Sequence, residues 1–334
     1  MRIALDAMGG DFGPPPNLDG ARRALEADTA LRISLVGDAS ILREAVAAAK
    51  LDDSRVTIVP ADGVAGMDEK PMEALLKKPN CSIAVCWKLM AAREVDAVVS
   101  AGSTGAVVGA GLRTKLFLKS VKRPGIAVVL PTLGGPCVLL DVGANPMAKP
   151  DHLLQYAVMG GVFARNVLKI ASPGIGLMNI GSEDGKGNDL VKEAHALLSK
   201  ANLSGRYLGN VEGRDLYQGQ TDVVVCEGFT GNVVLKASEG LVATMMQKVS
   251  QEVIGALDTE RDRAKQAFVE AGKKFSHHEF GGAPLLGVDG ICIICHGSSN
   301  GQAIFNALRV ATAYKISDVN RQIEHELAQL PASI

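Results

Sequence analysis

Six times along the chain, a short run of aliphatic and β-branched residues stops at a turn of Gly, Ser, Asn or Asp and gives way to a helical stretch. The six segments are "RIALDAMGGDFGPPP", "DAVVSAGSTGAVVGAGL", "CVLLDVGANP", "GIGLMNIGSEDGKGNDL", "DVVVCEGFTGNVVLKASEG" and "ICIICHGSSNGQAIFNAL". Apolar runs without polar alternation read as strands buried on both faces. Their alternation with helices predicts a doubly wound α/β sheet, mostly parallel. In such a sheet the turns after the strands are expected along one edge, where ligands bind. Each turn also opens a helix, whose free N–H groups and positive dipole end suit phosphate or another oxyanion.

The last segment contains "CIICH", the letter pattern of c-type haem attachment. Its context argues against haem. On a strand, Cys292 and Cys295 point to opposite faces and cannot grip one cofactor together. Six cysteines at irregular spacing form no disulfide framework, and haem attachment belongs to an oxidising compartment. Both residues are expected to pack as small hydrophobes.

The chain has 334 residues, 47% of them apolar, enough for one large core or two domains. Its 35 basic residues balance 36 acidic ones, so the overall field gives no reason to expect nucleic acid as a partner. The opening "MRIALDAMGG" has too short an apolar run before Asp6 for a secretory signal, and no stretch approaches the ~20 apolar residues of a membrane span. A cytoplasmic location is expected. The segment "GLRTKLFLKSVKRPG" ends one helix and breaks at Pro124-Gly125, which marks it as a crossing between two lobes that flank a cleft. The expected first lobe is 1–118 plus 296–334, the last helix folding back onto it. The second is 119–295, with a helical segment at about 230–275 on a dimer- or membrane-facing surface.

Several chemistries have no signature. G-x-x-x-x-G-K-[ST] is absent, and no G-x-G-x-x-G follows a strand. H-E-x-x-H is absent too. The residue types alone describe an oxyanion-binding α/β protein of enzymatic character.

The turns "DAMGGD", "SAGSTGA", "DVGAN", "NIGSEDGKGN", "EGFTGNVVLKASEG" and "HGSS", in that order, resemble those of the bacterial phosphate acyltransferases of phospholipid synthesis. The resemblance runs from the first strand to the last helix. One departure is Ser103, where the family more often has Asn, so a side-chain contact made by that Asn is shortened or replaced here. The resemblance implies transfer of a long-chain acyl group from acyl carrier protein to inorganic phosphate. It also implies a homodimer, a fold like the isocitrate and isopropylmalate dehydrogenases and phosphotransacetylase, no cofactor and no covalent acyl-enzyme.

The residues fit such a reaction. Phosphate is already a nucleophile and a leaving thiol has a pKa near ~8.5, so the site must mainly hold phosphate against the thioester and stabilise an oxyanion. Lys186, between glycines in "EDGKGND", is a candidate for phosphate or oxyanion binding, or a loop lysine paired with Glu183 or Asp184. His296 is placed to protonate the leaving sulfur or bind phosphate, or to make a structural hydrogen bond at a strand end. Asn232 could aim its amide at the carbonyl, or satisfy a helix start. Gly102, Ser103, Thr104 and Gly105 form the most phosphate-like turn, with a plain helix cap as the alternative. Asn145, Asn188 and Ser298 complete the candidate phosphate ligands, although Asn188 reads as a helix cap and Asn145, before Pro146, as a turn residue. Asp6 and Asp11 flank "AMGG" and could orient a lysine or a bound metal, with loop ordering the commoner role; no metal is assigned.

Acyl carrier protein is acidic, so its docking calls for basic side chains. Arg113, Lys115, Lys119, Lys122 and Arg123 fall within eleven residues that contain no acid, a local patch that also reads as an ordinary solvated helix face. Leu241, Met245, Val249, Val253 and Leu257 recur at helical spacing, as core or dimer contacts. The resemblance adds peripheral membrane association as another use for such a stripe. Two other function classes compete. A metal- and nicotinamide-dependent decarboxylating dehydrogenase would show an aspartate cluster and an arginine-rich loop that are not found. A non-enzymatic carrier- or membrane-binding module would not need so many glycine-rich strand-end turns.

Overall fold

A computed structural model describes residues 1–51, 54–274 and 281–330. The strands among them are β1 (Arg2–Asp6), β2 (Arg32–Gly37), β3 (Val56–Pro60), β4 (Ala97–Ser100), β5 (Gly125–Thr132), β6 (Gly135–Leu140), β7 (Gly174–Asn179), β8 (Arg206–Glu212), β9 (Val223–Val225), β10 (Ala283–Leu286) and β11 (Ile291–Ile294). The helices are α1 (Pro14–Ala27), α2 (Ala39–Ala48), α3 (Pro71–Lys77), α4 (Ser82–Ala91), α5 (Thr104–Thr114), α6 (Pro150–Asn166), α7 (Asp189–Leu198), α8 (Gly228–Ala256), α9 (Arg261–Lys274), α10 (Gly301–Ile316) and α11 (Val319–Leu327).

All eleven strands join one sheet in the order β3-β2-β1-β4-β11-β10-β5-β6-β9-β7-β8. Seven neighbouring pairs are parallel, and three, all involving β10 or β6, are antiparallel. The mostly parallel expectation is met, but the expectation of a single ligand-binding edge is not. The β5–β6 hairpin and the reversed β10 turn the sheet over midway, so β6, β9, β7 and β8 run opposite to β1, β2, β3, β4 and β11. The turns after β1, β4 and β11 therefore leave one end of the sheet, and those after β6, β7 and β9 leave the other.

Strict alternation along the strands divides the core between the two faces. Ile3, Leu5, Val138, Leu140, Val223 and Val225 pack on one face with α1, α6 and α10. Ala4, Leu139, Val224 and the fully buried Trp87 of α4 pack on the other with α3 and α5. Cys292 belongs to the second cluster and Cys295 to the first, each as a free thiol. Burial pushes the Cys295 thiol up to about 12, which leaves it an inert packing group.

The sheet is continuous across the expected lobe boundary. β11, on the 119–295 side of it, pairs in parallel with β4, and α10 packs against α1. Residues 331–334 of the expected first lobe and residue 275 of the expected helical segment lie outside the described residues. The long helix α8 buries only Gly228 and Gly231. Beyond its first turns it packs mainly against α9 and leaves Leu241, Met245, Val249 and Val253 exposed, at 64%, 53%, 42% and 42%. Burial in the core of this chain, one expectation for that stripe, is not observed.

Candidate active site

The turns after β1, β4 and β11 meet because their strands are neighbours. The Asp11 N–H donates to the Gly297 carbonyl at 2.8 Å, and the Cys295 N–H donates to the Ser100 carbonyl at 2.8 Å. Under them, the Ser100 hydroxyl donates to Asp6 Oδ2 at 2.7 Å and accepts from the Gly102 N–H at 3.0 Å. Asp6 is buried, and that burial raises its carboxyl above the ordinary value, with the Ser100 hydrogen bond working against the rise. Asn17 ties down the rest of the first turn by donating to the carbonyls of Ala7, Gly9 and Gly13. Asp6 thus orders loops, the role expected of it.

A second buried carboxylate organises the turn after β6. Asp141 Oδ1 accepts from the backbone N–H groups of Ile126, Gly143 and Ala144, and Oδ2 accepts from that of Asn145 at 2.7 Å. Burial raises this carboxyl, and the four N–H donors oppose the rise. Helix α8 starts directly on the turn. A Cβ at Gly231 would lie 1.9 Å from the Asp141 carbonyl oxygen, and one at Gly228 would lie 2.9 Å from Asp141 Oδ2. Only glycine permits that approach, which explains the two glycines of "GFTG". Glu227 caps the helix by accepting from the Thr230 N–H at 2.7 Å.

Between the first group of turns and α8 lies a cavity of about 440 Å³, of the size that takes a small ligand or part of a larger one. Thr104, Gly105, His296 and Ser299 form one part of its lining, and Asn232, Lys236 and Glu239 of α8 another. Ile126, Val128 and Leu130 of β5, with Val142, Leu235, Ala283 and Ile294, supply an apolar wall. Turns from both ends of the reversed sheet reach this one space, Thr104 and His296 from one end and Gly143 and Gly228 from the other.

The expected site residues fall into two groups. Thr104, Gly105, Asn232 and His296 come together on the cavity. At the mouth of α5, Ser103 is the N-cap residue but makes no capping side-chain bond, and Gly102 has given its N–H to Ser100. Glu227 already caps α8, so Asn232 is not needed for the helix start. The Ser298 N–H donates to His296 Nδ1 at 3.2 Å, and the Ser298 hydroxyl lies 2.8 Å from the same nitrogen. A ring nitrogen that accepts from a backbone N–H carries no proton, so in neutral His296 the proton sits on Nε2.

The other candidates lie off the cavity lining. Lys186 is exposed and pairs with Glu183 at 4.0 Å, the alternative foreseen for it. Asn188 caps α7, its side-chain oxygen accepting from the Val191 N–H at 3.0 Å. Asn145 donates its amide to the Pro124 carbonyl and to the Tyr156 hydroxyl, a turn role. Each asparagine thus has a structural partner, and neither lies on the cavity lining.

The basic patch is not a helix face. α5 ends at Thr114, Lys115 follows in a left-handed conformation, and Lys119, Lys122 and Arg123 lie in the connection to β5. Arg113 donates to the Leu75 carbonyl at 3.0 Å and Lys122 pairs with Asp151, an acid distant in sequence. Lys236, Glu239, Phe229 and Ser299 line the cavity although no sequence expectation singled them out. The signal for the first two was the spacing of Asn232, Lys236 and Glu239, which shares one face of a helix.

A sequence model for the family described as "Fatty acid synthesis protein" matches residues 1–322. The chain is 46% identical over 341 residues to a phosphate acyltransferase of Desulfitobacterium hafniense (strain DSM 10664 / DCB-2), covering 100% of this chain and 99% of that protein. It is 49% identical over 322 residues to a phosphate acyltransferase of Heliobacterium modesticaldum (strain ATCC 51547 / Ice1), covering 93% of each. Among solved structures it is similar to a phosphotransacetylase from Streptococcus pyogenes, with a TM-score of 0.60, 16% identity, and coverage of 94% of this chain and 93% of that one. EutD phosphotransacetylase from Staphylococcus aureus follows at 0.57 and 15%, with coverage of 94% and 93%. At such identities the structural likeness shows the α/β fold alone.

Proposed function

The chain belongs to the fatty acid synthesis protein family, and we propose, from that membership, that the cavity beside α8 is where it works as a phosphate acyltransferase. Its acyl donor is a long-chain acyl thioester of acyl carrier protein, its acceptor is inorganic phosphate, and its products are acyl phosphate and the free carrier. The carrying observation is that polar groups from two turns and helix α8, together with an apolar wall, line one space, as a reaction joining an anion to a fatty acyl carbonyl requires.

In the proposed step, an oxygen of hydrogen phosphate attacks the thioester carbonyl, a C–O bond forms, and the C–S bond breaks. The proton of hydrogen phosphate ends on the carrier's sulfur. Because the leaving thiol is a good leaving group, the site needs position and charge more than a strong base. The start of α5 at Thr104 and Gly105 directs backbone donors and a dipole end at the anion. Asn232 and the Nε2–H of His296 serve the developing oxyanion, and His296 is also placed to return the proton to sulfur. Lys186 is assigned an auxiliary cationic role from outside the cavity lining. The apolar wall along β5 receives the start of the acyl chain.

The carrier docks beside the connection that holds Arg113, Lys115, Lys119, Lys122 and Arg123, and the exposed α8 stripe pairs two copies into a homodimer. Among the described residues no helix is long and apolar enough to cross a membrane. The test is incubation with palmitoyl-acyl carrier protein with and without inorganic phosphate, following carrier thiol and acyl phosphate together. Thiol release that requires phosphate and equals acyl phosphate formed is the expected result. Thiol release without phosphate, or none from intact carrier and folded protein, would refute the assignment.

A further inference from the structure

Among the described residues that line the cavity, Lys236 is the one lysine or arginine and Glu239 the one acid. The Lys236 Nζ stands 2.8 Å from Glu239 Oε2. We infer that Lys236 is the cation that binds the phosphate nucleophile, and that Glu239 is its internal counter-ion, displaced when phosphate arrives. This inference rests on the cavity being the site of phosphate acyl transfer.

Position comes first. Asn232 and Lys236 are four residues apart on α8, about 6 Å along the axis, and Glu239 follows three residues later on the same face. The close seating of Gly228 and Gly231 on the Asp141 turn fixes where that face points. Lys236, Asn232, Thr104 and Gly105 all line the one cavity that lies between α8 and the start of α5.

Charge comes second. The Lys236 and Glu239 side chains keep 53% and 33% of their exposure, so theirs is a solvated pair that adds little to stability. Such a pair exchanges readily. A phosphate ion carries more than one negative charge near neutral pH and has more acceptor oxygens than a carboxylate, so it competes for the ammonium. Glu239 would remain close to the anion and repel it, which makes its removal favourable to phosphate. A pair that served only α8 would not couple to phosphate at all. The other candidate cation, Lys186, is paired with Glu183 away from the lining.

The two residues therefore have opposite expected effects. Inorganic phosphate is titrated into full-length wild-type, Lys236→Met, Lys236→Arg and Glu239→Gln proteins by calorimetry, and the phosphate KM is measured with palmitoyl-acyl carrier protein. Losing one charge-assisted contact should weaken phosphate binding by about tenfold or more in Lys236→Met, with Lys236→Arg recovering part of the loss. Glu239→Gln should bind phosphate severalfold more tightly than wild type. The KM for the acyl carrier substrate should change little in all three. Phosphate binding by Lys236→Met within twofold of wild type, weaker binding by Glu239→Gln, or no saturable phosphate binding by the wild type would overturn the inference. Phosphate binding that depends on Lys236 in a protein without acyl transfer would uphold it and refute the proposed function instead.

Discussion

Gly231→Ala tests the link between packing and chemistry most directly. The added Cβ would lie 1.9 Å from the Asp141 carbonyl oxygen and 2.9 Å from Cys226 Sγ, whereas carbon and carbonyl oxygen normally approach no closer than about 3.3 Å. The first turn of α8 must therefore move by more than ~1 Å, because the obstructing atom is backbone held by the Asp141 hydrogen-bond hub. Overpacking of this kind costs about 1–3 kcal/mol, and the better helix propensity of Ala returns about 1 kcal/mol. With a clash this close the upper end applies, leaving a net loss of about 2 kcal/mol. Asn232 is the next residue and Lys236 lies one turn beyond, so both move with the helix. A displacement of about 1 Å at a catalytic group can cost about 10²-fold in rate. Urea unfolding and phosphate-dependent thiol release check the two effects. Gly240→Ala is the control, since its Cβ would meet nothing within 4 Å on the same helix; it should gain up to about 1 kcal/mol with unchanged turnover. A Gly231→Ala protein with wild-type stability and kcat/KM within twofold would refute the seating of α8 as the device that places the site.

Two further outcomes follow from the buried carboxyl under the turns and from the placement of His296 and Lys186. Because burial holds the Asp6 carboxyl above its ordinary value, the folded protein keeps that proton over a pH range where the unfolded chain has lost it. Its contribution is thus complete below the unfolded carboxyl's titration and falls as pH rises through the folded one. Asp6→Asn removes that slope, so urea unfolding from pH 4 to 7 should show the variant gaining stability relative to wild type; a relative loss on raising the pH would contradict a carboxyl raised by burial. His296→Ala should lower kcat by about 10²-fold, as expected for loss of one donor to the reacting group. Lys186→Ala should cost less, since it stands off the cavity lining; steady-state rates ranking the two the other way would move the chemistry towards the 179–188 loop.

Much of the fold was legible because strands buried on both faces leave a strong local mark. Runs such as "RIALD" and "CVLL" admit few alternatives, and their turns carry the glycines and caps that end them. What was missed depends on pairing rather than on any one segment. The reversal of the sheet sits in "GIAVVLPTLGGPCVLL", where two apolar runs flank Leu133-Gly134-Gly135, a tight-turn composition that marks a hairpin and so an antiparallel step. Taken as one more strand in a parallel series, it hides the change of direction that sends Asn145 and Asn188 to the other end of the sheet.

The site divides along the same line. A turn residue such as Asn188 offers its side chain to the nearest backbone N–H or to a ligand with equal local logic, and only the placement of Val191 decides between them. A helix face is different, because its periodicity is fixed by the backbone. Once Asn232 is taken as a site residue on a helix, Lys236 and Glu239 follow at four and seven residues, whatever the rest of the sheet does. Glycine-rich turns therefore show where ligands are approached, but the spacing along α8 is the better guide to which charged side chains meet them. The cation most exposed in a glycine loop, Lys186, is also the one most easily satisfied there by a neighbouring acid. A cation on a helix seated by Gly228 and Gly231 has its position imposed from outside its own neighbourhood, and that imposed position is what a binding site requires.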